Sequence, residues 1–566
     1  MMATTVHISA LDRLDDTKPR AGEGDANILS AIRAIPLGSL AETDDLIRLH
    51  EALLFFRAYP SSQRLLRQTE IILKHFERQV VRLREADIDL TPLDAPEVSG
   101  IAGTSVTSNF SYVLVRWLVS KFPKQVTIDW DWFDSEDQFG ATMRRFLPLL
   151  EEDAMVEAHV PYRDWLNSAR GGRNEVAWII ERFESLPLSD RQKAELYDSL
   201  KLHVTWQFGW RSSRTGMRLP VRKTFFHDAP LIKRRDVSLV NELNSPPIQI
   251  KKLSRAEGGK ALDLARETSA VRYRELHGFT YGDASRVIRA DLGRGTAAFF
   301  VGVPAQHRLP LRAYHAAIIF KNGVPVAYFE GLSLFERMES GFNLYYTFRD
   351  GETAWLYARI LRLMRQLLGV TVFSIDPYQV GHENEEGIES GAFWFYRKLG
   401  FRPVKSELLR LTLAEEKKMA TNPRYRTSAR TLRRLASGHM LFEMPGKEAR
   451  EWNRFEVRNI GLAVQRRMAK EFRGKPEQMR NYTTQFAQKT LGGGLFQDET
   501  QRTLFNDLVI ALSTATGVTK WPASEIRSVA RIFLAKSGAD EGQYLKQMQK
   551  HALLRASLIK LGCRQS

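Results

Sequence analysis

The stretch SGAFWFYRKLGF, residues 390–401, carries the strongest structural signal in the chain. Ser390 is placed to cap a helix, because a serine hydroxyl can accept a hydrogen bond from a free backbone N–H. Gly400 is placed to end that helix, because glycine tolerates the left-handed conformation that follows many helices. The pattern predicts a helix over residues 390–399, with Tyr396 on a face that can point into a cleft, and a strand after it.

The region around this stretch mixes strand and helix patterns. Asn322-Gly323 predicts a tight hairpin turn, because both residues accept the positive φ angles that a type I′ turn requires. Apolar and β-branched runs predict strands on both sides of this turn and further along the chain. The predicted elements are strands over 296–303, 314–320, 326–329 and 341–348, a helix over 350–368, and a strand over 370–375.

The pattern AxxFYxKLGF at residues 392–401 resembles the GNAT superfamily of acyl-CoA-dependent N-acyltransferases. The predicted order of elements over about 246–440 agrees with this resemblance. It implies an α/β (α+β) fold, a GNAT-like mixed-sheet central domain flanked by mainly helical N- and C-terminal domains. It also implies acetyl-CoA or another acyl-CoA as co-substrate and an amine as acceptor.

The resemblance implies that Tyr396 protonates the departing CoA thiolate, which is plausible chemistry for a phenol. The alternative is that Tyr396 only packs against Phe393. Amine attack also needs a general base, and Glu330, at the end of a predicted strand, is the first candidate. Glu336 and Glu339 are further carboxylates in the loop that follows.

The resemblance also places a phosphate-binding loop where a strand leads into the helix over 350–368. A helix N-terminus offers free N–H groups and a positive dipole end to a pyrophosphate. The superfamily's usual loop is Gln/Arg-x-x-Gly-x-Gly/Ala, and this chain departs from it, with Glu352 in a glycine place when Arg349 is first. The alternative is an ordinary strand–helix turn. The candidate cofactor-binding residues are Phe348, Arg349, Gly351, Glu352, Thr353, Ala354 and, at the start of the tyrosine helix, Ser390.

Length and patterning predict several domains in the 566 residues. We expect a mobile segment over 1–26, with ordered structure from near Asn27, a helical N-terminal domain over 27–240, the GNAT-like domain over 241–442, and a basic helical C-terminal domain over 443–566. With 43% hydrophobic and 26% charged residues, the composition excludes collagen-like and largely disordered classes.

The cysteine count and the distribution of apolar residues indicate the cellular compartment. Cys563 is the single cysteine, so an intrachain disulfide is excluded and a reducing interior is favoured. The sequence contains no uninterrupted apolar run long enough for a membrane span, and its first residues lack a secretory type of apolar core. These features predict a cytoplasmic protein without a membrane span.

The net charge of +17 is uneven along the chain. Residues 401–480 hold 20 Lys and Arg against 9 Asp and Glu, and they include an arginine-rich segment over 424–434. Such a surface can hold nucleic acid or an acidic partner, or it can simply be solvated. The acidic segment over 382–386 could in turn recognise a cationic acceptor, or it too could be a solvated loop.

Two functions remain open at this point. The first is an enzyme that transfers an acyl group from acyl-CoA to an unidentified amine, and an aminoacyl- or peptidyl-transferring relative is a variant of it. The alternative is a catalytically degenerate GNAT-like scaffold that binds a partner, such as nucleic acid. No zinc-ligand spacing is present, and the carboxylates over 129–137 fit an acidic helix start after a short strand better than a cation site, so no metal is predicted.

Overall fold

A computed structural model describes residues 2–22, 24–35, 38, 40–134, 136–147, 162–447, 450–492 and 496–563. The N-terminal part is mainly helical and carries a small sheet of order β1-β3-β2. Its strands are β1 (Ser105–Ser108), β2 (Val126–Ile128) and β3 (Val204–Gln207). Its helices are α1 (Met2–Thr17), α2 (Ala26–Arg33), α3 (Thr43–Ala58), α4 (Gln63–Lys74), α5 (Phe76–Glu85), α6 (Tyr112–Lys121), α7 (Glu136–Met143), α8 (Tyr162–Arg170), α9 (Glu175–Ser185) and α10 (Asp190–Ser199).

The central part is built on one large mixed sheet. Its strands are β4 (Ile250–Lys252), β5 (Val287–Gly293), β6 (Thr296–Val301), β7 (Ala313–Lys321), β8 (Val324–Leu334), β9 (Arg337–Leu344), β10 (Val372–Ile375), β11 (Arg402–Pro403) and β12 (Met440–Glu443). Its helices are α11 (Leu239–Leu243), α12 (Arg255–Ala270), α13 (His277–Thr280), α14 (Thr353–Leu368), α15 (Glu385–Glu389), α16 (Ala392–Lys398), α17 (Ser406–Thr421) and α18 (Ala429–Leu435).

The C-terminal part is helical. Its helices are α19 (Val457–Phe472), α20 (Pro476–Thr490), α21 (Glu499–Thr514), α22 (Ala523–Ala535), α23 (Glu541–Gln549) and α24 (Ala552–Gly562). A large mixed sheet between helical ends confirms the predicted mixed α/β class. In the part of the chain that the structure describes, no helix combines the length and the apolar character that crossing a bilayer requires.

The nine strands of the central sheet follow the order β11-β12-β10-β9-β8-β7-β6-β5-β4. The pair β9–β10 is parallel, and the connection between its strands runs through helix α14. The other described neighbours in this sheet are antiparallel. Every residue of β7 is buried, as expected for a central strand covered on both faces.

The hairpin between β7 and β8 forms as predicted. Asn322 and Gly323 have φ angles of 49° and 81°, which match the positive values of the predicted turn. The tip of this hairpin packs against the N-terminal part, because the Asn322 side-chain amide donates a hydrogen bond to the Ala58 carbonyl. The Leu219 N–H donates to the Gly323 carbonyl at 2.8 Å.

The C-terminal part packs against the other end of the sheet. The buried Lys536 ammonium donates to the Arg312 carbonyl at 2.9 Å. The Gln549 side-chain amide donates to the carbonyls of Phe335 and Leu368. Both flanks of the chain therefore make hydrogen bonds to the central part.

The N-terminus differs from the sequence expectation. Residues 1–26 were expected to be mobile, yet α1 occupies most of this range and its Ala10, Leu11 and Leu14 are buried. Asp12 and Asp15 also pair with Arg48 of α3. The apolar residues of α1 recur at helical spacing, so one face of the helix can pack against the rest of the N-terminal part. The lack of a secretory apolar core excludes a signal peptide but does not exclude such a helix.

The tyrosine helix is shorter than predicted, and Ser390 does not cap it. Ser390 follows α15, and its hydroxyl donates to the Gly387 carbonyl at 3.4 Å. Gly391, with a φ of 65° in the left-handed region, then separates α15 from α16. Of the predicted helix over 390–399, residues 392–398 form α16, and α15 is a separate helix before it. Gly400 does follow the second helix with a φ of 103°, as predicted.

Candidate active site

Strands β9 and β10 pair over a short distance only. Residues 337–339 of β9 are in register with residues 372–374 of β10, and β10 ends at Ile375 while β9 continues to Leu344. Within the described chain, residues 340–344 of β9 therefore have β8 on one side and no strand on the other. We call this stretch the open edge of β9, and the candidate active-site residues lie around it.

Tyr396 lies in an aromatic cluster on the α14 side of the sheet. It is 4% exposed, and its ring contacts Tyr357, Phe395 and Phe401 at centroid distances of 5.7, 5.2 and 5.7 Å. Burial raises the pKa of Tyr396, so the phenol keeps its proton at neutral pH. Within the described part of the chain it has no charged partner that would hold it as a phenolate. This environment suits a proton donor and not a base.

Glu330 lies on β8 beside Tyr314 of β7. The Tyr314 hydroxyl donates a hydrogen bond to the Glu330 carboxylate and accepts one from the Gly278 N–H at 3.0 Å. Burial and the Glu330 carboxylate both raise the pKa of Tyr314, so this hydroxyl remains a donor. The contact fixes one Glu330 oxygen on the face of the sheet that α13 covers.

The structure places Tyr396 and Glu330 on opposite faces of the sheet. Glu330 pairs with Gly341, and the next pair, Gly331 with Ser340, points to the other face because side chains alternate along a strand. The Ser340 hydroxyl contacts the Tyr357 hydroxyl at 2.9 Å, and Tyr357 contacts Tyr396. Residues 340 and 341, on the open edge of β9, therefore lie between the two groups.

The predicted phosphate loop is filled by side chains of this chain. Glu352 is buried, pairs with Arg294 at 2.6 Å and with Lys321 at 3.3 Å, and accepts a hydrogen bond from the Ile232 N–H. These cations lower the pKa of Glu352 against the effect of burial, so it remains a carboxylate. A Cβ at Gly351 would lie 2.5 Å from the Tyr59 hydroxyl oxygen, so the N-terminal part covers this turn.

The other loop residues have varied environments. Phe348 and Ala354 are buried in the core. The Thr353 hydroxyl donates to the Arg349 carbonyl at 3.2 Å, which closes the first turn of α14. The half-exposed Arg349 guanidinium pairs with Glu386 and lies 5.1 Å from the Tyr346 ring centroid. Arg349 is the loop side chain best placed to meet a ligand from solvent.

The other predicted carboxylates have partners too. Glu336 pairs with Arg555 and accepts a hydrogen bond from the Trp452 indole, so it joins the sheet to the C-terminal helices. In the acidic segment over 382–386, Glu385 pairs with Arg433 and Glu386 pairs with Arg349. Most of this segment's charge is therefore balanced within the chain.

A second group of side chains meets at the end of β10, and sequence reasoning missed it. Glu339 of β9, Asp376 after β10 and His439 before β12 have ligand atoms that all lie within 4.8 Å of one another. Asp376 and His439 line a cavity of about 430 Å³. Burial and the nearby Arg337 guanidinium lower the pKa of His439. These residues are far apart in sequence, so no local motif indicates the group.

The arginine-rich segment over 424–434 borders the tyrosine helix, because the Trp394 indole donates a hydrogen bond to the Thr427 hydroxyl. Arg424, Arg426, Arg430 and Arg434 are exposed, and α18 begins after Ser428, whose hydroxyl accepts from the Thr431 N–H. Tyr425 donates a hydrogen bond to Glu415, so it is tied to α17. Arg424 and Arg426 precede α18 and Arg430 and Arg434 lie on it, so the segment presents charge to solvent from a loop and a helix.

Comparison of the chain with family models, with curated proteins and with solved structures found no match.

Proposed function

We propose that the chain is an N-acyltransferase that moves an acetyl or longer acyl group from a CoA thioester to an amine. The proposal follows the resemblance of residues 392–401 to the GNAT superfamily. The observation that carries it is the open edge of β9, with Tyr396 on one face of the sheet and Glu330 on the other. A thioester approaching from the Tyr396 face would meet an amine on the Glu330 face.

The proposed reaction is direct transfer. The ammonium of the acceptor first loses one proton to Glu330, and the neutral nitrogen then attacks the thioester carbonyl carbon. A C–N bond forms as the C–S bond breaks, and Tyr396 gives its proton to the leaving sulfur. The nitrogen releases its second proton, which restores Tyr396 through solvent, and Glu330 releases the first proton to solvent. The products are the amide and free CoA.

Cofactor contact at the loop would differ from the superfamily's usual pattern. Glu352 and Gly351 already have partners inside the chain, so the nucleotide would use Arg349 together with the exposed surface beside it. A guanidinium suits this task because it can contact a phosphate through two parallel hydrogen bonds.

Calorimetric titration of the full chain with acetyl-CoA and with free CoA tests the proposal. We expect both to bind, and we expect Arg349→Ala to weaken both, because it removes the phosphate contact. Arg191→Ala, which removes an exposed arginine of α10 in the N-terminal part, is the matched control and should bind like wild type. Absence of heat with both ligands at millimolar concentration would refute the proposal.

The filled phosphate loop favours a second candidate, the degenerate scaffold that binds a partner. In a loop that no longer binds phosphate, side chains of the protein can occupy the space of the ligand. Tyr59 beside Gly351 and the cations around the buried Glu352 fit this description. The exposed arginines over 424–434 would then hold nucleic acid. Affinity for a duplex that falls steeply with added salt, and that is reduced by Arg430→Ala, would support this function. No binding at low salt would exclude it.

A further inference from the structure

We propose that Glu339, Asp376 and His439 form a site for a first-row divalent cation of the zinc type, with an open coordination position facing the adjoining cavity. The proposal is independent of the acyltransferase function. It rests on where the strands place the three side chains, on the donor atoms they offer and on the cavity beside them.

Three neighbouring strands bring the ligands together. Glu339 is in register with Ser374 of β10, and Asp376 comes just beyond the end of that strand. His439 directly precedes Met440 of β12, which pairs with Ile375. Neighbouring strands lie about 4.8 Å apart, so side chains at these positions converge at one end of the sheet.

The distances fit an ion with little rearrangement. Zinc–oxygen and zinc–nitrogen bonds are about 2.0–2.2 Å long, so two ligand atoms of a tetrahedral zinc ion lie about 3.4 Å apart. The three ligand atoms already lie within 4.8 Å of one another. Small side-chain rotations would therefore complete the coordination.

The hydrogen bonding of these residues leaves donor capacity for a ligand. Within the described chain, the buried Nδ1 atom of His439 has no hydrogen-bond partner, an unusual state for a buried polar atom. Asp376 accepts from the Tyr378 N–H through one oxygen, and its other oxygen is available. Glu339 lies 3.5 Å from the Arg312 guanidinium, longer than the 2.7–2.9 Å typical of charge-assisted hydrogen bonds.

The nearby cations do not close the site. The Arg337 guanidinium donates to the Ser374 hydroxyl and to the Phe455 carbonyl, which hold it in place. Arg312 is a quarter exposed, so it can turn towards solvent when an ion occupies Glu339. Before any ion binds, the charges of the two carboxylates are balanced by those of the two arginines. The imidazole ligand favours zinc over magnesium or calcium, because those two ions prefer oxygen ligands alone.

The cavity gives the site its open position. Three protein ligands with a free fourth position are typical of catalytic zinc sites, whereas structural sites have four protein ligands. Asp376 and His439 line the cavity, together with Arg337, His382, Lys405 and Trp452. A small ligand in the cavity could therefore coordinate the ion directly.

The test uses untagged full-length protein, freed of metal by a chelator and titrated with Zn²⁺ against a chromophoric competitor. We expect one-to-one binding, weakened about tenfold or more in each of Glu339→Gln, Asp376→Asn and His439→Gln. His382→Gln, which changes a histidine on the same cavity outside the cluster, is the matched control and should bind like wild type. Bound Co²⁺ should show visible absorption bands that the three ligand variants lose.

Circular dichroism and thermal unfolding of each metal-free variant come first. Should His439→Gln fail to fold, Glu339→Gln carries the test, because it keeps the shape of the side chain on β9. The proposal would be overturned if the wild-type protein did not bind one equivalent of Zn²⁺. A triple variant that binds as tightly as wild type would also overturn it, because the ion would then bind elsewhere on the surface.

Discussion

The carboxylate of Glu352 lies 3.3 Å from the ammonium of Lys321, and both side chains are only 1% exposed. Burial lowers the pKa of Lys321 to about 8 even beside this carboxylate. The pair joins the start of α14 to the end of β7, and Arg294 adds a second cation. A position that the superfamily resemblance assigns to phosphate binding is thus occupied by an internal ion pair.

Removing one partner of this pair should be costly. We expect Glu352→Gln to lower the free energy of unfolding by about 3 kcal/mol, because Arg294 would lose its counter-ion and the buried Lys321 would have to stay charged without one or give up its proton. Chemical denaturation monitored by circular dichroism measures the change.

Glu386→Gln is the matched control for that substitution, since it removes the partly exposed ion pair with Arg349. Surface pairs contribute at most about 1 kcal/mol, so this variant should unfold close to wild type. Equal effects of the two substitutions would contradict the internal role of Glu352.

Acid should destabilise the fold through buried histidines. Burial, with Lys536 and Arg308 nearby, lowers the pKa of His315 on β7 to about 3 from an ordinary value of 6.5. The unfolded chain then binds more protons than the folded chain between these pH values, so stability falls as the pH drops from about 6.5 towards 3.

His315→Phe should therefore flatten the decline of stability with acid, and denaturation curves between pH 7 and pH 4 measure it. Some decline should persist, because burial also lowers the pKa of His227 to about 3. His382→Phe, a change at an exposed histidine, should leave the decline as it is. An unchanged slope in His315→Phe would refute the assignment.

Helix capping around the tyrosine helix gives a direct comparison of expectation and structure. The Asn384 side-chain oxygen accepts a hydrogen bond from the Gly387 N–H and caps α15, whereas Ser390 lies at the far end of that helix. We expect Asn384→Ala to destabilise the protein by about 1 kcal/mol and Ser390→Ala by less than about 0.5 kcal/mol. Thermal unfolding of both variants decides this, and the reverse order would restore Ser390 as a cap.

Catalysis, under the proposed function, should depend on the Tyr396 proton. We expect Tyr396→Phe to reduce turnover of acetyl-CoA with an accepted amine by about a hundredfold or more, with the fold retained. Tyr357→Phe removes a hydroxyl from the same aromatic cluster and should retain most activity. Wild-type turnover in Tyr396→Phe would remove Tyr396 from the mechanism.

Local signals in the sequence predicted a substantial part of the sheet. The turn at Asn322 and Gly323 has its own conformational signature, and the apolar runs beside it form β7 and β8. The helix over 350–368 was also expected, and α14 begins only slightly later, at Thr353. These elements are determined by residues close together in the sequence, so a single sequence is enough to predict them.

Contacts between residues far apart in the sequence could not be predicted from such local signals. Nothing near Gly351 in the sequence indicates that Tyr59 lies against it, and nothing near Glu352 indicates Arg294 and Lys321. Of the three-strand sheet in the N-terminal part, the short strand before residue 129 was expected and is β2, whereas β1 and β3 were missed because they are short and separated by helices. Glu339, Asp376 and His439 meet only after the strand order is known, and that order follows from the packing of the whole sheet.

The buried hairpin tip has a consequence for how the protein is made. The Ala58 carbonyl accepts a hydrogen bond from the Asn322 side-chain amide, and the Leu219 N–H donates one to the Gly323 carbonyl. During translation, the first residues of the N-terminal part leave the ribosome long before position 322 is synthesised. Until the hairpin is synthesised, the Ala58 carbonyl and the Leu219 N–H of the N-terminal part have no hydrogen bond to it. A nascent chain arrested before the hairpin should therefore be more sensitive to protease than one arrested after it.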